Sequence, residues 1–418
     1  MHHVIIGNGI AGISAVEALR RLDPDADITL IGDEGGLPYC RPMIAMVLEG
    51  SIAPDRLSIR ASGYYAELGI RTVFGDRIHR IDLHNREVRF DDDRRLPFDR
   101  LLIATGADPR PIKSHGQHLD GIYFMRTAGH VQSMLDRLPR VRQALVLGGG
   151  LVGFKAAYGL LRRGFRVTML IRSGYPLSLQ VDETAGRMIL QELLDHGLDV
   201  RVGSEAVAFE GDDAVREAVI SDGTRISCDM VVIGKGVLPA LSFVPREEIQ
   251  VDLGILVDSH FQTSAPGVFA AGDVAELVDV ARGTRWVNAI WPEAAVQGRI
   301  AGLNMAGRRV KYPGSLGRNV IRIFGMDILT AGVVAPPQDA GFEVFSALDR
   351  RRLEYRRLVM KDGYLVGCTL VNAIEQGGVM VSLIHNRVPV TVPPRKLLSP
   401  RFNIKSIMDH TALRTQPE

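Results

Sequence analysis

Cysteine is scarce in this sequence of 418 residues, and its three cysteines, Cys40, Cys228 and Cys368, lie far apart. No C-x-x-C or C-x₄-C pair is present, and the 11 histidines form no H-x-x-x-H pattern. These absences exclude an iron–sulfur cluster or a structural zinc ion held by this chain alone, because both need closely spaced ligands. An odd and sparse cysteine count also favours a reducing compartment.

Long apolar runs and a strong excess of one charge are missing as well. No run of 18 or more apolar residues is present, and the N-terminus lacks the basic and apolar regions of a signal peptide. The net charge of +2 gives no reason to expect nucleic acid as a partner. We therefore expect a cytoplasmic chain without a membrane span, folded into about two to four domains.

The N-terminal residues have the pattern of a dinucleotide-binding unit. An apolar strand, Val4–Ile6, runs into the turn Gly7-Asn8-Gly9-Ile10-Ala11-Gly12, and a helical stretch then continues to about Leu22. A second strand, Asp27–Ile31, is followed by Asp33. The glycines allow backbone N–H groups to approach a pyrophosphate at the helix N-terminus, and the acid can accept a hydrogen bond from a ribose hydroxyl.

The same pattern occurs a second time. The strand Gln143–Leu147 leads into Gly148-Gly149-Gly150-Leu151-Val152-Gly153, a helix over Phe154–Arg163 follows, and Arg166–Ile171 is the next strand. One glycine turn alone could belong to some other α/β protein. The pair predicts two dinucleotide sites in one chain.

Two further apolar strands end in polar turns. Arg100–Ala107 contains Thr105-Gly106, and Thr263–Asp273 ends in Gly272-Asp273. The carboxylate of Asp273 is expected at the carboxyl end of its strand, where ligands of open α/β sheets bind. The alternative for this residue is a helix N-cap.

The pattern changes after Pro313. Six segments read as an antiparallel sheet with one helix, and Lys361-Asp362-Gly363 predicts a hairpin turn between two of the strands. The predicted segments are Val320–Phe324, Ile328–Val334, Phe342–Ala347, Arg352–Met360, Leu365–Leu370 and the helix Ala373–His385.

Taken together, these motifs resemble the FAD- and NAD(P)-dependent pyridine nucleotide-disulfide oxidoreductase superfamily along the whole chain. The resemblance implies an α/β fold with two Rossmann-like dinucleotide-binding domains, for FAD and NAD, and a C-terminal α+β interface domain. Residues 1–110 and 247–310 would form a discontinuous FAD domain. Residues 111–246 would bind NAD(P), and residues 311–418 would form the interface domain.

The resemblance also implies which residues hold the cofactors. Asp33 would bind the FAD adenosine ribose, Asp273 the ribityl chain, and the helix start at Trp291 would face the flavin pyrimidine edge. The full set of implied FAD residues is Gly7, Gly9, Ala11, Gly12, Asp33, Arg41, Pro42, Thr105, Gly106, Gly272, Asp273, Trp291 and Pro292. The implied NAD(P) residues are Gly148, Gly150, Leu151, Val152, Gly153, Arg172 and Gly236.

The stretch Leu37–Pro42 bears on the chemistry, because it contains Cys40. Its Pro-Tyr-x-Arg-Pro pattern is similar to the branch of ferredoxin and rubredoxin reductases, nitrite reductase flavin domains and apoptosis-inducing factor. In the peroxidase and coenzyme A-disulfide reductase branch, counting back from Gly50 puts the redox cysteine at Pro42 instead. We therefore predict that Cys40 is not the redox centre, and a reactive Cys40 stays the alternative.

Two positions depart from the branch pattern. Met46 stands where a lysine often lies near the flavin N5, and Lys155 stands where a glutamate is usual. We hypothesise that Lys155 is a cation at the flavin edge; the alternative is an ordinary surface lysine. At the end of the second nucleotide strand, Ile171 and Arg172 replace the expected acid, so NAD is favoured while NADP stays open.

Three functions fit these features. The first is an FAD-containing NAD(P)H oxidoreductase that exchanges electrons with an iron–sulfur or rubredoxin-type partner. It would act as a stand-alone reductase or as the flavin subunit of a multi-subunit bacterial enzyme, such as an aldehyde or phenylglyoxylate oxidoreductase, in an oligomer or hetero-complex. The second is an NADH oxidase or a peroxide or thiol reductase. The third is a non-catalytic, nucleotide-responsive binding protein.

Overall fold

The computed structural model describes residues 1–338 and 340–405, and the end of the predicted third domain, 406–418, lies outside the described residues. The elements of residues 1–110 are β1 (His2–Ile6), α1 (Ile10–Leu22), β2 (Asp27–Gly32), α2 (Ile44–Glu49), α3 (Tyr64–Glu67), β3 (Arg71–Phe74), β4 (Ile78–Asp82), β5 (Glu87–Phe90), β6 (Arg95–Pro97), β7 (Arg100–Ile103) and β8 (Ala107–Pro109). Those of residues 111–246 are β9 (Ile122–Phe124), α4 (Ala128–Arg137), β10 (Gln143–Leu147), α5 (Leu151–Arg162), β11 (Arg166–Ile171), α6 (Glu183–Asp195), β12 (Asp199–Val202), β13 (Ala206–Glu210), β14 (Glu217–Ile220), β15 (Arg225–Ser227), β16 (Met230–Ile233) and β17 (Val237–Pro239).

The remaining elements follow in the C-terminal part of the chain. Residues 247–310 hold β18 (Ile255–Leu256), β19 (Val268–Ala270), β20 (Ala275–Val278), β21 (Arg285–Trp286) and α7 (Trp291–Met305). Residues 311–405 hold β22 (Arg318–Ile323), β23 (Met326–Gly332), β24 (Phe342–Asp349), β25 (Glu354–Lys361), β26 (Tyr364–Val371), α8 (Gly377–His385) and α9 (Pro394–Leu397).

Two parallel five-stranded sheets dominate the fold. The first has the order β19-β7-β1-β2-β3, and the second has the order β12-β11-β10-β16-β9. Their central strands are almost entirely buried, as expected when helices or loops cover both faces of a parallel sheet. Since β19 lies next to β7, the chain returns to the first sheet after completing the second. The predicted α/β fold class is confirmed, while the domain bounds stay a prediction.

Close contact between α1 and α7 fixes the position of the α7 N-terminus. A Cβ at Gly298 would lie 2.0 Å from the carbonyl oxygen of Ala11, and a Cβ at Gly302 would lie 2.5 Å from that of Ala15. Side chains at the two glycines would therefore push the helices apart. The contact brings the start of α7 beside the first glycine turn.

The C-terminal strands form one antiparallel sheet in the order β22-β23-β26-β25-β24. The predicted hairpin is present, with Asp362 and Gly363 at φ 51° and 79°, and Lys361 paired with Tyr364. The helix predicted from Ala373 begins only at Gly377. The sheet packs against α8 and also shares a hydrophobic core with the second parallel sheet. It contributes Ile321, Ile323, Met326, Ile328, Tyr355 and Val371 to that core.

None of the helices in residues 1–338 and 340–405 is long and apolar enough to cross a lipid bilayer.

Candidate active site

A cavity of about 900 Å³ opens at the carboxyl edge of the first sheet. Most residues predicted to bind FAD line it, although they come from parts of the chain nearly 300 residues apart. Gly12 and Pro292 are outside its lining. The predicted residues in the lining are Gly7, Gly9, Ala11, Asp33, Arg41, Pro42, Thr105, Gly106, Gly272, Asp273 and Trp291.

The first glycine turn leaves room for a pyrophosphate at one position only. A Cβ at Gly7 (φ 122°) would lie 2.1 Å from the carbonyl oxygen of Ala104, and one at Gly12 would lie 1.8 Å from that of Gly7. A Cβ at Gly9 would meet nothing within 4 Å. Gly9 also precedes α1 without a side-chain cap, which leaves helix N–H groups facing the cavity. This open, donor-rich cradle fits a dinucleotide phosphate.

A polar network holds the segment that contains Arg41. Its guanidinium lies 2.7 Å from a Glu34 carboxylate oxygen and donates to the carbonyl oxygen of Arg126 at 2.8 Å. The Tyr39 hydroxyl donates to the other Glu34 oxygen at 2.7 Å. Asp33 accepts a 2.9 Å hydrogen bond from the N–H of Glu34 at the end of β2. Glu34 carries this network, and sequence reasoning missed it because the preceding acid matched the motif.

Asp273 reaches the cavity paired with a residue that the sequence did not indicate. Its carboxylate lies 3.0 Å from Arg126 Nη2, and Arg126 Nε donates to the carbonyl oxygen of Ala107 at 2.8 Å. The alternative that Asp273 is a helix N-cap is wrong, since a turn and β20 follow it. Arg126 lies 147 positions away from Asp273 along the chain, where no local motif marks it.

The second glycine turn repeats the geometry of the first. Gly148 has φ 104° and packs against Gly234, whose carbonyl oxygen would lie 2.6 Å from a Cβ, whereas Gly150 is open. The helix after this turn starts at Leu151, and Leu151 and Val152 line the same cavity as the first turn. The other predicted NAD(P) residues lie outside the lining; they are Gly148, Gly150, Gly153, Arg172 and Gly236. One cavity therefore reaches from the first glycine turn to Leu151 and Val152 of the second.

Lys155 projects from α5 and lines this cavity half-buried. Burial lowers the pKa of its ammonium group, and the nearby Cys40 partly counteracts that shift. Within residues 1–338 and 340–405, no carboxylate lies within 4.0 Å of its amine. A half-buried cation without an acidic partner fits the hypothesis of a flavin-edge charge, which stays a prediction.

Cys40 lies beside Lys155 but is not part of the cavity lining. Burial raises the pKa of its thiol, with a smaller opposing effect from the backbone N–H of Met43 and from Lys155. A raised pKa disfavours the thiolate, the form that attacks or carries redox equivalents. This environment agrees with the idea that Cys40 is not the redox centre, which stays a prediction.

The family of this chain follows from comparison with known proteins. A family model described as pyridine nucleotide-disulphide oxidoreductase matches residues 1–295. The chain belongs to this family. It is 30% identical over 98% of its length to the NADH-dependent phenylglyoxylate dehydrogenase subunit epsilon of Aromatoleum evansii, 97% of which is covered.

Two further matches extend the comparison. The ferredoxin–NAD(+) reductase component of the biphenyl dioxygenase system of Paraburkholderia xenovorans (strain LB400) is 30% identical over 93% of this chain and 94% of that protein. The structure of the covalent putidaredoxin reductase–putidaredoxin complex superimposes with a TM-score of 0.89 at 23% identity, with 99% of each chain covered. The predicted family, fold class and use of FAD with NAD(P)H are confirmed: this chain is an oxidoreductase that uses FAD and NAD(P)H. The individual cofactor residues stay predictions.

Proposed function

We propose that this oxidoreductase exchanges electrons between NAD(H) and an iron–sulfur partner, as the flavin subunit of a multi-subunit enzyme in the cytoplasm. The observation that carries the proposal is the shared cavity, whose lining includes Gly9 and Asp273 together with Leu151, Val152 and Lys155. Two nucleotides bound at their respective turns would meet there. The similarity to a subunit of an NADH-dependent phenylglyoxylate dehydrogenase and to a ferredoxin–NAD(+) reductase component supports a protein as the other electron donor or acceptor.

The residues of the cavity contribute binding and orientation. When bound, FAD supplies hydride exchange with nicotinamide and single-electron exchange with the partner. The turn at Gly9 and the start of α1 would hold the pyrophosphate, and Asp33 the adenosine ribose. Asp273, oriented by Arg126, would accept hydrogen bonds from the ribityl hydroxyls. The uncapped N-terminus of α7 would direct N–H groups at the flavin pyrimidine edge.

Anaerobic mixing of the FAD-loaded protein with NADH tests whether NADH reduces the bound flavin. We expect the flavin absorbance to bleach in a fast first-order phase, and we expect an added ferredoxin-type acceptor to be reduced in turn. Purification from the natural host should yield iron–sulfur subunits in a fixed ratio. Flavin that NADH leaves oxidised, or a lone, iron-free protein that turns over rapidly with oxygen or peroxide, would contradict the proposal.

Lys155→Met tests the flavin-edge cation. At an effective dielectric constant of about 20, a unit charge about 5 Å away is worth about 3 kcal/mol, and solvent screening of a half-buried lysine reduces this to about half. We expect the two-electron midpoint potential of the bound flavin to fall by about 30 mV. Spectroelectrochemical titration measures this shift, and Arg162→Met at the exposed end of α5 is the control. An unchanged potential in Lys155→Met would contradict the role.

Cys40→Ser distinguishes electron transfer from thiol chemistry. Because the thiol lies outside the cavity lining and its pKa is raised by burial, we expect flavin reduction by NADH to change less than about twofold. Stopped-flow absorbance measures this rate. Loss of peroxide or disulfide turnover in Cys40→Ser, with NADH reduction of the flavin intact, would instead support a thiol-dependent reductase.

A further inference from the structure

Three charged residues follow strands at the carboxyl edge of the second parallel sheet. Arg172 directly follows β11, Glu205 comes three residues after the end of β12, and Lys235 comes two residues after the end of β16. The Lys235 amine donates a hydrogen bond to the Glu205 carboxylate. The N–H of Ser204 donates to the carbonyl oxygen of Ile171 at 3.0 Å, which holds the Glu205 segment against the end of β11.

This cluster lies beside the second glycine turn. Gly148 packs against Gly234, the residue immediately before Lys235. A Cβ at Gly149 would lie 2.7 Å from Ile171 Cγ2, and Ile171 immediately precedes Arg172. Lys235 and Arg172 therefore each follow a residue that packs against the second glycine turn. The adenosine ribose of a nucleotide on this turn is expected at the end of β11, where the chain itself has no acid.

We propose, on the basis of the proposed function, that Glu205 supplies this missing carboxylate from the neighbouring strand and thereby selects NAD(H) over NADP(H). Its oxygens accept hydrogen bonds from the ribose hydroxyls and also hold the Lys235 ammonium. In this arrangement a 2′-phosphate meets the carboxylate, while Lys235 is paired with Glu205 and Arg172 has no carboxylate within 4.0 Å in residues 1–338 and 340–405. Without the carboxylate, Arg172 and Lys235 would form a pair of cations suited to a phosphate.

The charge state of Glu205 is consistent with this role. The hydrogen bond from Lys235 lowers the pKa of the Glu205 carboxyl, and Lys235 and Arg172 lower it further by charge attraction. The group is therefore an anion at neutral pH and accepts hydrogen bonds only.

Two substitutions at one salt bridge test the proposal because they are expected to act in opposite directions. Glu205→Gln should raise the ratio of NADPH to NADH efficiency in flavin reduction about tenfold, whereas Lys235→Met should lower it about threefold. If the salt bridge only stabilised the fold, its loss would change the efficiency with NADH and with NADPH equally, and it would do so in both variants. Glu210→Gln is the matched control, since Glu210 pairs with Arg225 on the adjacent β13 to β15 sheet.

A binding measurement on the FAD-loaded protein separates this inference from the proposed function. Calorimetric titration with 5′-AMP and with adenosine 2′,5′-bisphosphate measures the contribution of the 2′-phosphate without any electron transfer. We expect Glu205→Gln to tighten the bisphosphate about tenfold relative to 5′-AMP, with thermal stability close to wild type. That result supports the inference even if NADH fails to reduce the flavin. Equal shifts in Glu205→Gln and Lys235→Met, or none in either, would overturn it.

Discussion

Gly9→Ala is expected to weaken FAD binding about 10- to 100-fold while leaving the protein folded. Gly9 has φ −85° and ψ −178°, an extended conformation that any residue adopts, and a Cβ there touches nothing within 4 Å. The added methyl group would instead occupy the cradle proposed for the pyrophosphate. Its cost to the folded protein is the weaker N-cap of α1, at most about 1 kcal/mol.

Gly12→Ala in the same turn provides the contrast. A Cβ at Gly12 would lie 1.8 Å from the carbonyl oxygen of Gly7, so the backbone of the turn has to move. We expect this variant to lose several °C in melting temperature as well as its FAD. Fluorescence titration of the apoproteins with FAD and thermal unfolding separate the two effects. A Gly9→Ala protein that binds FAD with wild-type affinity would show that the pyrophosphate lies elsewhere.

Arg318→Met is expected to destabilise the protein by about 3 kcal/mol. Glu293, in the first turn of α7, is only 2% exposed, and its carboxylate lies 2.7 Å from Arg318 on β22. It also accepts a hydrogen bond from the hydroxyl of Tyr312. Without the guanidinium, a buried negative charge at the proposed flavin edge would lose its cation, which costs more than the pair contributes.

The control for this variant lies on the same strand. Arg322 pairs with Asp327 but is 71% exposed, so Arg322→Met should cost less than about 1 kcal/mol. The double variant Glu293→Gln/Arg318→Met should be more stable than Arg318→Met alone, because it removes the uncompensated charge. Urea unfolding followed by circular dichroism measures all four proteins. Equal losses in the two single arginine variants would show that Glu293 does not depend on Arg318.

Local features of the sequence were sufficient to predict the secondary structure around both glycine turns. The strands Gln143–Leu147 and Arg166–Ile171 occur with the predicted bounds. The helix between them starts three residues earlier than predicted, at Leu151, and ends one residue earlier, at Arg162. The glycine spacing and the apolar runs are local patterns, because residues close together in the sequence form them. They recur in any chain that forms this unit. The Asp362-Gly363 hairpin was predictable for the same reason, since its φ values suit few other residues.

The polar partners inside the cavity and at its edges depended on tertiary structure. Arg126 meets Asp273, Glu205 meets Lys235, and Arg318 meets Glu293 across 147, 30 and 25 positions of the chain. No periodicity or spacing encodes such pairs, because they form only when the tertiary fold brings distant segments of the chain together. The sequence by itself therefore determined the family, the fold class and the two cofactors of this protein. The tertiary structure decided which charges surround each proposed nucleotide site, because a charge acts through distance in space and not through position along the chain.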